Sequence, residues 1–316
     1  MEKYPRIEKI YEDIQKLNIQ GATNVCIATF EGMKIFLEIT KEREKDNFLK
    51  EFFKVGETLA HARENEPLAT NGVTFLKYYF SEKFTDLQDV NSMKRELLVL
   101  CDEYLKIITD SKKELISKSE KRLQKYDKIL THCHSSTAVS LIKSIVQKKK
   151  GAEVVCTETR PLFQGRKTAR ALVDGGIKTT MIVDSAAESF VIGRGNIPIE
   201  IVFIGCDEIL GDGSAVNKIG SWGIGMAAHY ARKPLYVVTP ALKLDYHSLI
   251  SNNKMEIRED RELWPEAPKG LEIYNPAFEI IDKELITGYI TELGIISPEE
   301  IVSVVKKKYP WIVDKI

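Results

Sequence analysis

Between residues 128 and 238 the chain repeats one pattern: a short β-rich apolar run, a few polar residues, then apolar residues at helical spacing. The runs are Lys128 to Thr131, Glu153 to Cys156, Thr179 to Val183, Ile201 to Gly205 and Leu235 to Val238. Parallel strands need a crossover of a dozen or more residues between them, usually a helix. The alternation therefore predicts βαβ units and an α/β domain built on a doubly wound parallel sheet.

The region before it has a different texture. From Ile7 to about Gln124 apolar residues recur at helical spacing, with Met93, Leu97, Cys101, Leu105 and Ile108 on one stripe. Pro67, within Asn65 to Asn71, predicts a break between helices, and the charged stretch from Ser111 to Lys125 predicts a solvated face. The expected organisation is an amino-terminal helical domain, residues 1–125, followed by the α/β domain, residues 126–316, with the boundary near Tyr126. Near the end, Ser297-Pro298-Glu299-Glu300 reads as the cap and first turn of the last helix.

Composition closes off several classes. Forty-six basic residues balance forty-six acidic ones, so no overall field draws the chain to nucleic acid or to an anionic membrane. No run approaches the ~20 apolar residues of a membrane helix, and the start lacks a signal-peptide core. Five scattered cysteines, Cys26, Cys101, Cys133, Cys156 and Cys206, form no CxxC pair and point to reduced thiols in the cytoplasm.

Ligands of open α/β sheets bind outside the carboxyl ends of the strands. The residues just after each run are therefore the candidate site: Thr131-His132-Cys133-His134-Ser135-Ser136, Thr157-Glu158-Thr159-Arg160-Pro161, Asp184-Ser185, Cys206-Asp207-Glu208 and, after the fifth, Lys243. Ser135 or Ser136 is placed to cap a helix from Thr137 to Lys148, which sets the Cys133 thiol beside a positive helix end and predicts a lowered pKa. The plain alternative for Cys133 is a small buried hydrophobe. Asp207 ends an apolar strand, as a reactive carboxyl or as a cap of the turn Gly211-Asp212-Gly213. Arg160 and Lys243 suit a phosphate, or else a surface ion pair. His132-Cys133-His134 lacks zinc spacing, so no metal is expected. Gly223-Ile-Gly225-Met-Ala-Ala228 matches a dinucleotide fingerprint but lies inside a helical pattern rather than after a strand, so no nicotinamide cofactor is expected.

Taken together, these strings resemble a known family. Thr131-His132-Cys133, Thr157-Glu158-Thr159-Arg160-Pro161 with Gln164-Gly165, Val183-Asp184-Ser185-Ala186-Ala187, Gly205-Cys206-Asp207, Asn217-Lys218-Ile219-Gly220 and Asn275-Pro276-Ala277-Phe278-Glu279 are similar to the family that unites three groups. These are the regulatory subunits of translation initiation factor 2B, methylthioribose-1-phosphate isomerase, and archaeal ribose-1,5-bisphosphate isomerase. The resemblance runs from about Asn18 onward and implies a helical domain leading into a Rossmann-like one.

The family's enzymes carry a catalytic Cys and Asp at the positions of Cys133 and Asp207, a pair its initiation-factor subunits generally lack. The resemblance thus implies a cytoplasmic aldose–ketose isomerase without a cofactor, converting ribose 1,5-bisphosphate to ribulose 1,5-bisphosphate in nucleotide salvage and assembled as a homo-oligomer, dimer or hexamer. Asp207 would act as the acid at the ring oxygen, and the hydrogen would pass from C2 to C1 either as a proton exchanged by Cys133 or as a hydride in an apolar pocket. Gly21, Ala22, Arg160, Asn217, Lys218 and Lys243 match family positions that contact phosphate or sugar, with backbone amides near Gly21 and Ser135 assisting.

The sequence departs from the family twice. Gln20 stands where an Arg usually precedes Gly-Ala, and Glu66 where a second Arg precedes Pro; Arg63 is the candidate substitute. Two alternatives follow: an isomerase of a C1-monophosphorylated ribose such as methylthioribose 1-phosphate, or a non-catalytic regulatory subunit.

Overall fold

A computed structural model describes residues 3–147 and 149–314. Five helices come first: α1 (Pro5–Gln15), α2 (Ala22–Ile39), α3 (Lys45–Ala60), α4 (Pro67–Lys83) and α5 (Val90–Leu123). Asp89 caps α5 by accepting from the Ser92 amide, and the predicted stripe is its buried face, with Leu105 half-buried at the margin. Pro67 opens α4 instead of breaking a helix, so the interruption is confined to residues 61–66; the missing N–H of a proline costs nothing in a first helical turn.

The second part contains β1 (Lys128–His132), α6 (Ser136–Val146), β2 (Glu153–Thr157), α7 (Gln164–Asp174), β3 (Thr179–Ile182), α8 (Ala187–Val191), β4 (Ile201–Ile204), β5 (Glu208–Leu210), β6 (Ala215–Lys218), α9 (Ser221–Tyr230), β7 (Leu235–Val238), β8 (Leu244–Asp245), α10 (Asp260–Leu263), β9 (Phe278–Ile281), β10 (Gly288–Thr291), β11 (Gly294–Ile296) and α11 (Ile301–Lys308). All five predicted runs are strands of one seven-stranded sheet, ordered β11-β10-β7-β4-β1-β2-β3 and parallel except for β11. The predicted end of α6, Lys148, lies outside the described residues. Ser297 accepts through its carbonyl from the amides of Glu300 and Ile301, so the predicted cap leads into α11 through a turn.

A smaller sheet, β8-β5-β6-β9, leaves no mark among the apolar runs, because its short strands, Leu244–Asp245, Glu208–Leu210, Ala215–Lys218 and Phe278–Ile281, each contain polar residues. It stands beside the strand ends and carries Asn217 and Lys218 on β6. One continuous apolar core joins the helices to the sheet, from Phe30 and Tyr104 through Leu130 and Val202 to Trp311. Among the described residues no helix is long and apolar enough to cross a membrane.

Candidate active site at the switch point of the sheet

The order of the main sheet reverses between β1 and β4, which pair in register from Ile129 opposite Ile201 to His132 opposite Ile204. Crossovers leave in opposite directions from these two strands, and a crevice opens beyond their ends. Cys133 follows β1 and Asp207 follows β4, both half-buried, and both line a cavity of about 350 Å³. Gln20, Gly21, Ala22, Arg63, Ser135, Asn217, Lys218 and Lys243 line it as well. Ser135 is the cap of α6, its hydroxyl accepting from the Ala138 amide. Gly205 lets this cap approach β4, since a side chain there would put its Cβ 2.7 Å from that of Ser135.

Cys133 sits in an unusual backbone state, fixed from both sides. Its φ is 64°, a left-handed conformation that a non-glycine residue adopts at a cost. Its N–H donates to the Thr159 hydroxyl at 3.1 Å and its carbonyl accepts from the Thr168 hydroxyl at 2.7 Å. The partners set the direction of every bond behind Thr159. His132 reaches the Ile219 carbonyl through Nε2 at 2.8 Å, so Nε2 carries the proton. Burial pulls the pKa of His132 below its ordinary value, which keeps the ring neutral and leaves Nδ1 an acceptor. Thr157 therefore donates to Nδ1 at 2.7 Å, and Thr159 donates to Thr157 at 3.1 Å. By the same logic His134 donates through Nδ1 to Thr168 at 3.0 Å, because the Thr168 proton is already given to Cys133.

Two further motifs support this relay. Asp184 accepts from the amides of Thr159 and Arg160 at 2.8 and 2.7 Å and so holds the loop after β2. Glu279 accepts from the amides of Gly220 and Trp222 at 2.6 and 2.8 Å, capping α9 and fixing the Ile219 carbonyl.

Three expectations are settled or corrected. The Cys133 thiol is not activated: burial pushes its pKa up to about 11, and the nearby Lys218 charge only partly opposes that. The cap of α6 is present, but the loss of water around the sulfur outweighs a partial charge at a helix end. Arg160 does not line the cavity; its side chain is exposed, lies over the Phe163 ring and donates to the Leu263 carbonyl at 3.3 Å. Asp207 is not the cap of the turn at 211–213, where Asp212 accepts from the Ser214 amide. Gln20 is at the rim, its amide donating to the Leu17 carbonyl.

Lys243 donates to the Cys206 carbonyl, and Lys218 stands 4.8 Å above the Phe278 ring. Gln164, Lys167, Glu256 and Arg258 also line the cavity, although the strand-end rule does not point to them. The last two arrive on an irregular segment that pairs with residues 275–277 through Arg258 N–H to the Asn275 carbonyl and Ala277 N–H to the Glu256 carbonyl, both 2.8 Å. Only the charge-rich run Glu256-Ile257-Arg258-Glu259-Asp260 hints at them. Lysine ammonium groups, two helix starts and a thiol–carboxyl pair in one small cavity can hold an anionic sugar and move protons on its carbon chain.

Comparison with known proteins decides the lineage, because residues 18–298 match the model of the initiation factor 2 subunit family. The chain belongs to this family. It is 30% identical to ribose 1,5-bisphosphate isomerase of Methanocaldococcus jannaschii, over 97% of this chain and 96% of that one. Methylthioribose-1-phosphate isomerase of Trichoplax adhaerens is 32% identical, over 94% and 87%. 5-Deoxyribose 1-phosphate isomerase of Clostridium botulinum is 29% identical, over 94% and 88%. The crystal structure of the Pyrococcus horikoshii OT3 translation initiation factor eIF-2B, 23% identical, superposes with a TM-score of 0.79 over 94% of this chain and 98% of that one, a likeness of fold.

Proposed function

We propose that the chain is an aldose–ketose isomerase acting on a ribose phosphorylated at C1. The observation that carries this reading is the placement of Cys133 and Asp207 at adjoining strand ends of the switch point, in one cavity with Lys218 and Lys243. The isomerase relatives support it.

A sugar blocked by phosphate at C1 has no free anomeric hydroxyl, so its ring opens only if the C1–O4 bond breaks and O4 gains a proton. The open form becomes the ketose when the hydrogen on C2 moves to C1 and the O2 hydroxyl gives up its proton. Cys133 and Asp207 are the groups proposed to handle these transfers. Because burial keeps Cys133 a thiol, it enters the cycle able to give a proton. Passage of the C2 hydrogen as a hydride also agrees with a neutral thiol. The lysines and the open amides at the start of α6 would hold the C1 phosphate.

Both ribose 1,5-bisphosphate and C1-monophosphorylated riboses belong to this substrate class. The reading includes a cytoplasmic homo-oligomer, a dimer or hexamer. Incubation with ribose 1-phosphate, its 5-deoxy analogue and ribose 1,5-bisphosphate, with ketose formation followed, tests the activity. Cys133→Ser and Asp207→Asn should each abolish turnover while the folded state is kept. Absence of turnover on all three, with copurification of initiation factor 2, would replace the enzyme by a regulatory subunit.

A further inference from the structure

Two of the five cations lining the cavity are already spent. Arg63 places Nη1 3.3 Å from Glu66 and Nη2 2.7 Å from Glu256, with its side chain only 11% exposed. Arg258 places Nη1 2.7 Å from the other oxygen of Glu256 and grips Glu262 with the rest of its fork. Glu66, Arg63, Glu256, Arg258 and Glu262 thus form one chain of acid and base, three carboxyl groups against two guanidiniums, in which burial raises Glu66 to about 7 and leaves it part-protonated at neutral pH. This end of the cavity offers no net positive charge.

Arg63 Nε and Glu66 Oε2 are buried without a hydrogen-bond partner among the described residues. Drawing Arg63 away to a ligand anion would take from buried Glu66 and Glu256 the one cation that both contact, and removing one member of a buried ion cluster is costly. The remaining cations are Lys167, Lys218 and Lys243. Lys218 acts electrostatically on Cys133, and Lys243 lies close enough to Asp207 to donate to the preceding carbonyl. A phosphate on C1 is attached to a reacting carbon, so it belongs with these lysines and with the start of α6. A second phosphate, brought against the arginine–glutamate chain, would add about two negative charges where both guanidiniums are already neutralised by carboxylates.

Resting on the isomerase reading above, we infer that the sugar taken by this site carries one phosphate, at C1, and an uncharged C5 end, and that Glu66 is the residue that turns away a second phosphate. The substrate class is a C1-monophosphorylated pentose whose C5 bears a hydroxyl, a hydrogen or an alkyl or thioalkyl group.

The test compares ribose 1-phosphate with ribose 1,5-bisphosphate in two readouts, kcat/KM for the wild-type protein and calorimetric Kd for Cys133→Ser. The expected result is at least a tenfold preference for the monophosphate in both. Glu66→Gln, nearly isosteric, should narrow that preference several-fold by freeing Arg63, and Glu256→Gln gives a second route to the same release. A preference for the bisphosphate, or no change of the ratio in either variant, overturns the inference. Tighter binding of the monophosphate without turnover of either sugar upholds the inference and removes the isomerase reading. Failure of both sugars to bind overturns the two together.

Discussion

The amide of Cys133 donates to the hydroxyl of Thr159 at 3.1 Å, and the two residues share a left-handed backbone, with φ of 64° and 62°. The thiol of Cys133 is therefore positioned by a residue on the neighbouring strand end, at the head of a relay that ends on the Ile219 carbonyl.

Thr159→Ala should cost about 1–3 kcal/mol in a denaturant melt, because it leaves the Cys133 N–H without its acceptor. If the relay positions the thiol, kcat should fall by an order of magnitude or more with little change in KM, and Thr159→Ser should restore most of both. A stability loss without a kcat effect would reduce Thr159 to a structural role.

The thiol of Cys133, pushed up to about 11 by burial, should react slowly with iodoacetamide near pH 7 and faster as the pH rises toward that value. Lys218→Met removes the charge that opposes this push, so its alkylation profile should move further to alkaline pH. Mapping the labelled peptide measures both. Rapid labelling at neutral pH would contradict the burial argument.

Glu66 gives a pH signature in stability. Burial raises its carboxyl to about 7, against the opposing pull of Arg63, whereas the unfolded chain returns it to an ordinary value of about 4.3. The folded state then binds the proton more tightly, so this contribution is fully present below pH ~4.3 and is lost as pH rises to about 7, by roughly 3 kcal/mol. Glu66→Gln cannot lose a proton. The stability difference between Glu66→Gln and the parent should accordingly move in favour of the variant across that window, measured by urea melts at several pH values.

Gly165→Ala should be among the most damaging small substitutions, since its Cβ would lie 1.8 Å from the Thr157 carbonyl oxygen. The start of α7 would have to withdraw from β2, taking Gln164 and Lys167 with it. Loss of soluble protein or a strongly lowered melting temperature is the expected outcome.

Much of this arrangement is legible in the amino-acid sequence. The apolar runs mark β1, β2, β3, β4 and β7 within one residue at each end; the four inner strands are covered on both faces and so apolar along most of their length, whereas the half-exposed edge strand β3 shows through its β-favouring residues Thr179, Thr180 and Ile182. Once the strands are placed, the residues after them fall at the crevice, which is why Cys133, Asp207, Ser135 and Lys243 meet as expected. Arg160 escapes the same rule because its direction depends on the left-handed turn of Thr159 and on Asp184 taking its amide, which spacing does not encode. Glu256 and Arg258 escape it because their segment has neither period and is placed only by pairing with residues 275–277. Local sequence misjudges the Cys133 pKa because desolvation is the sum of everything packed around the sulfur, most of it distant along the chain.

The contact of Phe75 with Trp311, ring centroids 5.1 Å apart and edge to face, joins an early helix to one of the last described turns. Tyr79 and Tyr309 pack on the same indole at 5.6 and 5.1 Å. During synthesis the first helices therefore emerge with one flank of their core uncovered, and they stay so until residue 311 has left the ribosome. Translation through the whole α/β part is the interval in which Phe75 and Tyr79 lack their Trp311 cover.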